Sequence, residues 1–348
     1  MVDIIDKTYR QIFCYNKDIG HLFVPNLNAR IMNEKGGYFV KTNSLGFRSN
    51  LEFKKKKDSK PRILFFGDSN TAADGVSNNE RFSELLGEYF GAEVYNFGLS
   101  GSGTDQQYLI WKNYAQNMEA DLIVLGVLVE NIQRNKVAYR ESINPFTKKS
   151  VLIPKPYFQI NENKLNLTNY PVPRTNPSSS DIDPHMVQWT IPKDQEMIYK
   201  AVRLWRKSKI TKPINDNFSP FLERFRSFLI KTAYQPYKDY DNPNSKGYFL
   251  MKEILSKFIN LLHPIPVIIL PIPTYHYYVD GAKPIYKKLF GSFHNPKKNI
   301  YVLDLLKEIK RLDYKKRQSL CFEEDKGHFC QFGHQVISNF LKKKIKIL

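Results

Sequence analysis

The sequence contains no run of about 18 uncharged apolar residues, so no ordinary transmembrane helix is expected. Its first stretch, MVDIIDKTYRQIF, is broken by charges and lacks the apolar segment of a secretory signal, which points to a cytoplasmic protein. Cysteine is scarce. Cys14, Cys321 and Cys330 are an odd number without paired spacing, which argues against a disulfide framework or a zinc site. The scattered histidines His21, His185, His263, His276 and His294 show no ligand spacing either, so neither metal nor cofactor is expected. Acidic residues are also short, 34 Asp and Glu against 53 Lys and Arg, leaving a formal charge of +19. Such a charge suggests nucleic acid, anionic membrane or anionic glycan as a neighbour. No recognised nucleic-acid motif accompanies the lysines, so no specific nucleic-acid partner is expected. What the chain does have is apolar mass. With 42% hydrophobic residues over 348 positions it can bury a substantial core, as one large domain or as a core carrying an insertion.

Five short apolar runs bounded by turn or charge signals read as buried strands: Arg62–Gly67, Val94–Gly98, Leu122–Val129, Pro266–Pro273 and Ile300–Leu305. They lack polar alternation, as strands covered on both faces do. Helical patterns fall at Glu80–Phe90, Thr104–Met118, Gly247–Leu262 and Gly333–Lys346. Strand–helix alternation predicts a doubly wound α/β fold with a parallel sheet. Residues 1–60 read as an N-terminal appendage. Residues 61–348 read as the main domain, with an insertion at about 135–245, far longer than an ordinary crossover. Within it, Asn144–Asp183 is Pro/Asn/Ser-rich and expected to be mostly irregular, followed by amphipathic helices at Gln195–Lys209 and Pro220–Thr232.

Three strands end in residues suited to acyl chemistry. After RILFF comes Gly67-Asp68-Ser69-Asn70-Thr71, a serine at the carboxyl edge where open α/β sheets place ligands. The same residues also make good helix caps. After VYNFG comes Leu99-Ser100-Gly101-Ser102-Gly103, whose glycines let a backbone N–H approach a substrate oxygen. The third strand runs into Glu130-Asn131-Ile132-Gln133-Arg134-Asn135, where an asparagine amide could donate to an oxyanion. Near the C-terminus stands Asp325-Lys326-Gly327-His328, a histidine suited to act as base with an aspartate placed to hold its tautomer. Tyr275, His276, Tyr277 and Tyr278 follow the fourth strand and read either as sugar-stacking aromatics or as core.

The blocks GDSN (Gly67–Asn70), NFGLSGSGTDQ (Asn96–Gln106), VLVENI (Val127–Ile132) and DKGHF (Asp325–Phe329) together resemble the SGNH, or GDSL-like, hydrolase family. The resemblance covers about residues 61–134 and 248–345. It implies a flavodoxin-like three-layer α/β/α sandwich with a five-stranded parallel sheet. It also implies Ser69 as nucleophile, His328 as base and Asp325 as its orienter. The oxyanion hole would comprise the N–H groups of Ser69 and Gly101 and the side chain of Asn131. The third block departs from the family's Gly-x-Asn-Asp, so Asn135 stays open beside Asn131. TNSLGFRS (Thr42–Ser49) and the segment after the third strand resemble the subgroup associated with bacterial surface-polysaccharide biosynthesis. The implied function is a serine esterase removing O-acyl, foremost O-acetyl, groups from a carbohydrate; the implied partner is an acylated sugar or polysaccharide. Two alternatives stand beside it: a sugar or polysaccharide O-acetyltransferase with the same triad, and a catalytically silent carbohydrate-binding protein. Much of the positive charge lies outside these blocks, in Lys54–Lys57, in 193–238 with 11 basic and 4 acidic residues, and in Lys342–Lys346. That placement confines the charge to peripheral contact with an anionic surface or substrate.

Overall fold

A computed structural model describes residues 12–143, 150–162, 164–174, 182–188 and 235–345. Its centre is a sheet of five strands, β1 (Arg62–Gly67), β2 (Glu93–Asn96), β3 (Leu122–Leu128), β4 (Val267–Ile272) and β5 (Ile300–Val302). Every neighbouring pair is parallel, and the spatial order is β2-β1-β3-β4-β5, the flavodoxin-like winding. All residues of β1, β3 and β4 are buried, which is why these strands read as unbroken apolar runs. Adjacent residues of β1 point to opposite layers. Phe65 meets Phe82 on one side, with ring centroids 5.8 Å apart, while Phe66 stacks on Phe97 at 5.0 Å and meets Phe258 at 5.8 Å on the other.

The helices form the two outer layers. Here α1 is Ser69–Ala72, α2 Phe82–Phe90, α3 Thr104–Ile110, α4 Asn131–Arg134, α5 Lys246–Leu262 and α6 Gln331–Lys344. α2 packs on α6 over one face, and α3 packs on α5 over the other. The helix expected over Thr104–Met118 stops at Ile110 and continues as a wider turn, Trp111–Ala115, that seats Trp111 against Phe66. The last strand ends at Val302 because Asp304 caps a new helix, Leu305–Ile309, accepting from the Lys307 N–H.

Two regions lie outside the strand–helix alternation. Residues 12–60 carry two hairpins, Phe13–Asn16 with Gly20–Phe23 and Asn28–Ile31 with Tyr38–Lys41. Ile19, Phe23, Val40 and Phe47 from this stretch are part of the same apolar core as the sheet. The segment expected to be irregular, Asn144–Asp183, contributes strands instead. Ser150–Pro154 pairs antiparallel with Tyr139–Ile143, which also pairs parallel with Val187–Gln188, and Tyr157–Asn161 forms a hairpin with Lys164–Thr168. Its runs SVLIP, YFQIN and KLNLT are short and β-favourable, and the surrounding Pro and Asn concealed them. The helices expected at Gln195–Lys209 and Pro220–Thr232 lie outside the described residues.

The Lys54–Lys57 run is held by its backbone. Buried Arg62 donates to the carbonyls of Lys54 (3.0 Å), Lys55 (3.3 Å) and Lys56 (2.8 Å), pairs with Glu93, and lies over the Tyr95 ring. Among the described residues, no helix is long and apolar enough to cross a membrane.

Candidate active site

The strand order reverses between β1 and β3, and at such a switch point the loops leaving the two strands part to open a crevice. Ser69 follows β1 there directly. The turn requires Gly67, because a Cβ on it would come within 2.0 Å of Thr71 Oγ1 and 2.8 Å of the Gly126 carbonyl. Asp68 caps α1 by accepting from the Asn70 N–H at 2.8 Å. The other end of that short turn is fixed by Arg48, from the TNSLGFRS segment. Its fully buried guanidinium donates to the carbonyls of Ala72 and Ala73 (both 2.8 Å) and Val76 (2.7 Å), and to Asn78 Oδ1 (3.1 Å). Burial draws the Arg48 pKa down to about 10, still charged at neutral pH.

The loop before α6 brings the distant half of the site. Residues Cys321 and Phe329 bridge across its base, and Gly327 N–H donates to Asp325 Oδ1 at 3.0 Å. Two outside residues hold it. Asn70 donates to the Gly327 carbonyl at 3.3 Å, and the Glu34 carboxylate accepts from the N–H groups of Glu323 and Glu324, each at 2.7 Å. In this frame His328 Nδ1 lies 2.5 Å from Asp325 Oδ2, and its Nε2 lies 2.8 Å from Ser69 Oγ. An ionised carboxylate only accepts, so Nδ1 carries the hydrogen and Nε2 is left to accept from the Ser69 hydroxyl. Burial favours the neutral imidazole, but the bond and charge of Asp325, aided by Asp74 and Asp68, outweigh it and raise the His328 pKa.

Gly101 adopts φ +75°, a backbone that disfavours any side chain, and a Cβ there would fall 1.5 Å from Arg140 Nη1, so the guanidinium would have to move aside. Ser102 donates its hydroxyl to the Gly67 carbonyl at 3.2 Å, tying this glycine loop to β1. Asn131 heads α4, fully buried, with Nδ2 3.5 Å from Thr104 Oγ1 and its Oδ1 without a hydrogen-bond partner among the described residues. Asn135 is differently engaged: its Oδ1 accepts from the Asp105 N–H at 3.3 Å and its Nδ2 points at Met251 Sδ, 3.6 Å away. The structure thus joins Ser69, His328 and Asp325 by hydrogen bonds. Gly101 and Asn131 lie on the loops after β2 and β3, and no hydrogen bond among the described residues links either to the three.

Sequence reasoning missed the group that ties these loops together. Arg134 Nη1 lies 3.3 Å from the Ser102 carbonyl and 3.7 Å from Asp68 Oδ2, while Nη2 and Nε donate to Glu130 Oε1 at 2.9 and 3.1 Å. One guanidinium therefore contacts the serine turn, the glycine loop and α4. Its only sequence signal was the i, i+4 spacing from Glu130. Burial pushes the Asp68 carboxyl up to about 6, against the pull of Arg134. Gln188 Nε2 and the Tyr237 hydroxyl also donate to Glu130, at 3.1 and 3.3 Å.

Tyr275, Tyr277 and Tyr278 are buried, which places them in the core and away from sugar stacking. His21 is structural: its Nε2 lies 2.9 Å from the Ser100 carbonyl, and burial lowers its pKa to about 4. Among the described residues, no three His, Cys, Asp or Glu side chains are grouped to hold a metal ion.

No protein-family profile matches the chain, and no curated protein matches it. Among solved structures the chain is similar to a member of the lipolytic G-D-S-L family from Veillonella parvula, at 12% identity over 82% of this chain and 99% of that one, with a TM-score of 0.43. It is likewise similar to a lipase/acylhydrolase from Enterococcus faecalis, at 12% identity, 82% and 95% coverage and a TM-score of 0.40. An acetylxylan esterase from Geobacillus stearothermophilus gives 12% identity, 85% and 98% coverage and a TM-score of 0.40. At these values the likeness assigns no residue a role.

Proposed function

We propose that the chain is a serine esterase of the SGNH type that removes O-acyl groups, O-acetyl foremost, from a carbohydrate through an acyl-Ser69 intermediate. The observation that carries this reading is the hydrogen-bonded line Asp325–His328–Ser69 at the sheet's carboxyl edge, with 2.5 and 2.8 Å links. His328 Nε2 takes the Ser69 proton as Oγ attacks the ester carbonyl, and the carbonyl π pair moves onto oxygen. Asp325 holds the Nδ1–H and stabilises the imidazolium that forms. The oxyanion is met by the Ser69 and Gly101 N–H groups and by the Asn131 amide, each donor being worth about 2.7–4 kcal/mol of barrier in comparable sites. Collapse breaks the ester bond, the sugar oxygen leaves with the proton from His328, and acyl-Ser69 remains. Water, deprotonated by His328, then releases the acid and restores the serine.

Asn131 serves as the asparagine donor because Asn135 is committed to the start of α3 and to Met251. The carbohydrate rests on the TNSLGFRS and post-β3 resemblance. A fluorophosphonate probe together with an acetylated oligosaccharide tests the proposal. Wild type should be labelled and should release acetate, while Ser69→Ala does neither. Equal labelling of Ser69→Ala, or no labelling of wild type, removes the enzyme reading. Acetate appearing on an added sugar rather than in solution would favour the acetyltransferase.

A further inference from the structure

The loop that carries Asp325 and His328 buries little of itself. Phe322 and Phe329 are buried at its base, but Glu323, Glu324, Asp325 and Gly327 between them are exposed. A segment with so few apolar contacts depends on hydrogen bonds for its shape. Two of them come from the turn of the hairpin Asn28–Ile31 with Tyr38–Lys41. There Glu34 Oε1 accepts from the Glu323 N–H and Oε2 from the Glu324 N–H, both at 2.7 Å. One carboxylate thus grips two successive peptides immediately ahead of Asp325, which in turn holds His328.

The hairpin turn is itself anchored on the serine side. Asn33 Oδ1 accepts from the N–H groups of Lys35 and Gly37, each at 2.9 Å, which shapes the turn. Its Nδ2 donates to the Gly75 carbonyl at 2.9 Å, in the segment that follows Ser69, and the Phe39 N–H donates to Ser77 Oγ at 3.2 Å. The two halves also meet directly. Phe322 clusters with Ala73, Val76 and Cys330 and covers Gly75, where a Cβ would come within 2.4 Å of its ring. Lys35 Nζ lies 5.6 Å over the same ring. Charge alone disfavours a carboxylate beside a loop that already carries Glu323, Glu324 and Asp325, and the two N–H bonds offset that repulsion.

We infer that Glu34 is a positioning residue, clamping the backbone ahead of Asp325 so that the Asp325–His328 pair is held against Ser69. It bonds to none of the three reacting side chains and acts through the loop. This role rests on the reading of Ser69 above, and it makes the N-terminal hairpin part of the catalytic apparatus. A base displaced by a fraction of an ångström takes the serine proton less readily, so slack in the loop reads out as a slower chemical step.

The test measures fluorophosphonate labelling rate, kcat and KM on an acetyl ester across pH, and Tm, for wild type, Glu34→Ala and Glu34→Gln. Glu34→Ala should lower kcat and the labelling rate about 10-fold while KM stays within about twofold. Its acid limb should also move to lower pH. Burial lowers the His328 pKa and the Asp325 bond, backed by Asp74 and Asp68, raises it, so slackening that bond leaves burial to pull the pKa down. Glu34→Gln keeps one acceptor oxygen and should recover part of the rate. Glu34 is exposed, so both variants should melt close to wild type. Wild-type rates and an unmoved limb in Glu34→Ala overturn the role. So does a slower Glu34→Ala whose limb has not moved, because that loss is structural alone. Should Glu34→Ala fail to fold, Glu34→Gln decides on the same two readings. A labelled wild type with an indifferent Glu34→Ala removes Glu34 only, whereas an unlabelled wild type removes the Ser69 reading and the positioning role with it.

Discussion

Replacing Arg134 with methionine keeps most of its volume and removes the charge that connects three loops. The guanidinium is almost fully buried, as are its contacts to Asp68 and the Ser102 carbonyl, and Glu130 is only partly exposed. Removing one member of a buried ion pair typically costs about 3–5 kcal/mol, because the partner is left uncompensated. Here two features reduce that. Glu130 keeps the Gln188 and Tyr237 donors, and Asp68, already at a pKa of about 6, escapes its charge by taking a proton. A net loss of about 2–4 kcal/mol follows, equivalent to roughly 3–6 °C in Tm for a chain of this size.

The loss has a definite pH direction. Asp68 has its folded pKa raised from the usual 3.8 to about 6. The neutral carboxyl therefore contributes stability that is fully present below the unfolded pKa and is lost as pH rises through the folded one. At pH 5 both wild type and variant hold Asp68 largely protonated, so Arg134 matters least. At pH 8 wild type holds an ionised Asp68 against Arg134, and the variant leaves it the Asn70 N–H without the guanidinium. The Tm deficit of Arg134→Met should thus grow between pH 5 and 8, which thermal melts in a buffer series will show. The same variant should lose about 10- to 100-fold in kcat on an acetyl ester, with KM less affected, since the turns carrying Ser69, Gly101 and Asn131 lose their common tether. A pH-independent Tm deficit below about 1 °C, with kcat within about twofold of wild type, would refute the tethering argument.

Two further outcomes follow from the same geometry. Gly101→Ala combines a strained φ of +75° with a Cβ 1.5 Å from Arg140 Nη1, so kcat/KM should fall by about 100-fold or more, the cost of one misplaced oxyanion donor; an active Gly101→Ala enzyme would mean that this N–H is not a donor. The acid limb of kcat/KM against pH should have its midpoint above 6.5, because His328 must be neutral to accept the Ser69 proton and its pKa is raised. Asp325→Asn removes the main raising influence, so the limb should move to lower pH while kcat drops sharply; a limb that stays put would assign the titration to another group.

What the sequence revealed follows the range of the interactions. Strands β1, β3 and β4 were legible because burial on both faces forces RILFF, LIVLGVL and VIILPI to be apolar without alternation. Asp325 and His328 were legible because their contact spans three residues. Arg134 was not, since its contacts with Ser102 and Asp68 reach across 32 and 66 positions and leave no spacing to recognise. Arg48 stood in a quoted motif, yet nothing local says that its guanidinium closes the turn after Ser69. The insertion strands were missed for a different reason. They form a small sheet at the flank, where only some positions are buried, and Pro and Asn dominate the composition around them.

That last failure bears on function. Ser69, Gly101 and Asn131 follow strand ends, where the fold itself dictates their spacing, so a sequence displays them. The inserted sheet, by contrast, brings side chains to these loops through a register that no motif encodes. Arg140 meets Gly101 only because Tyr139–Ile143 is clamped between Ser150–Pro154 and Val187–Gln188. The net charge of +19 suggested an anionic neighbour without saying where it would act. Lys54–Lys57 supply charge beside Arg62, just before β1 begins, whereas Arg140 lies beside Gly101.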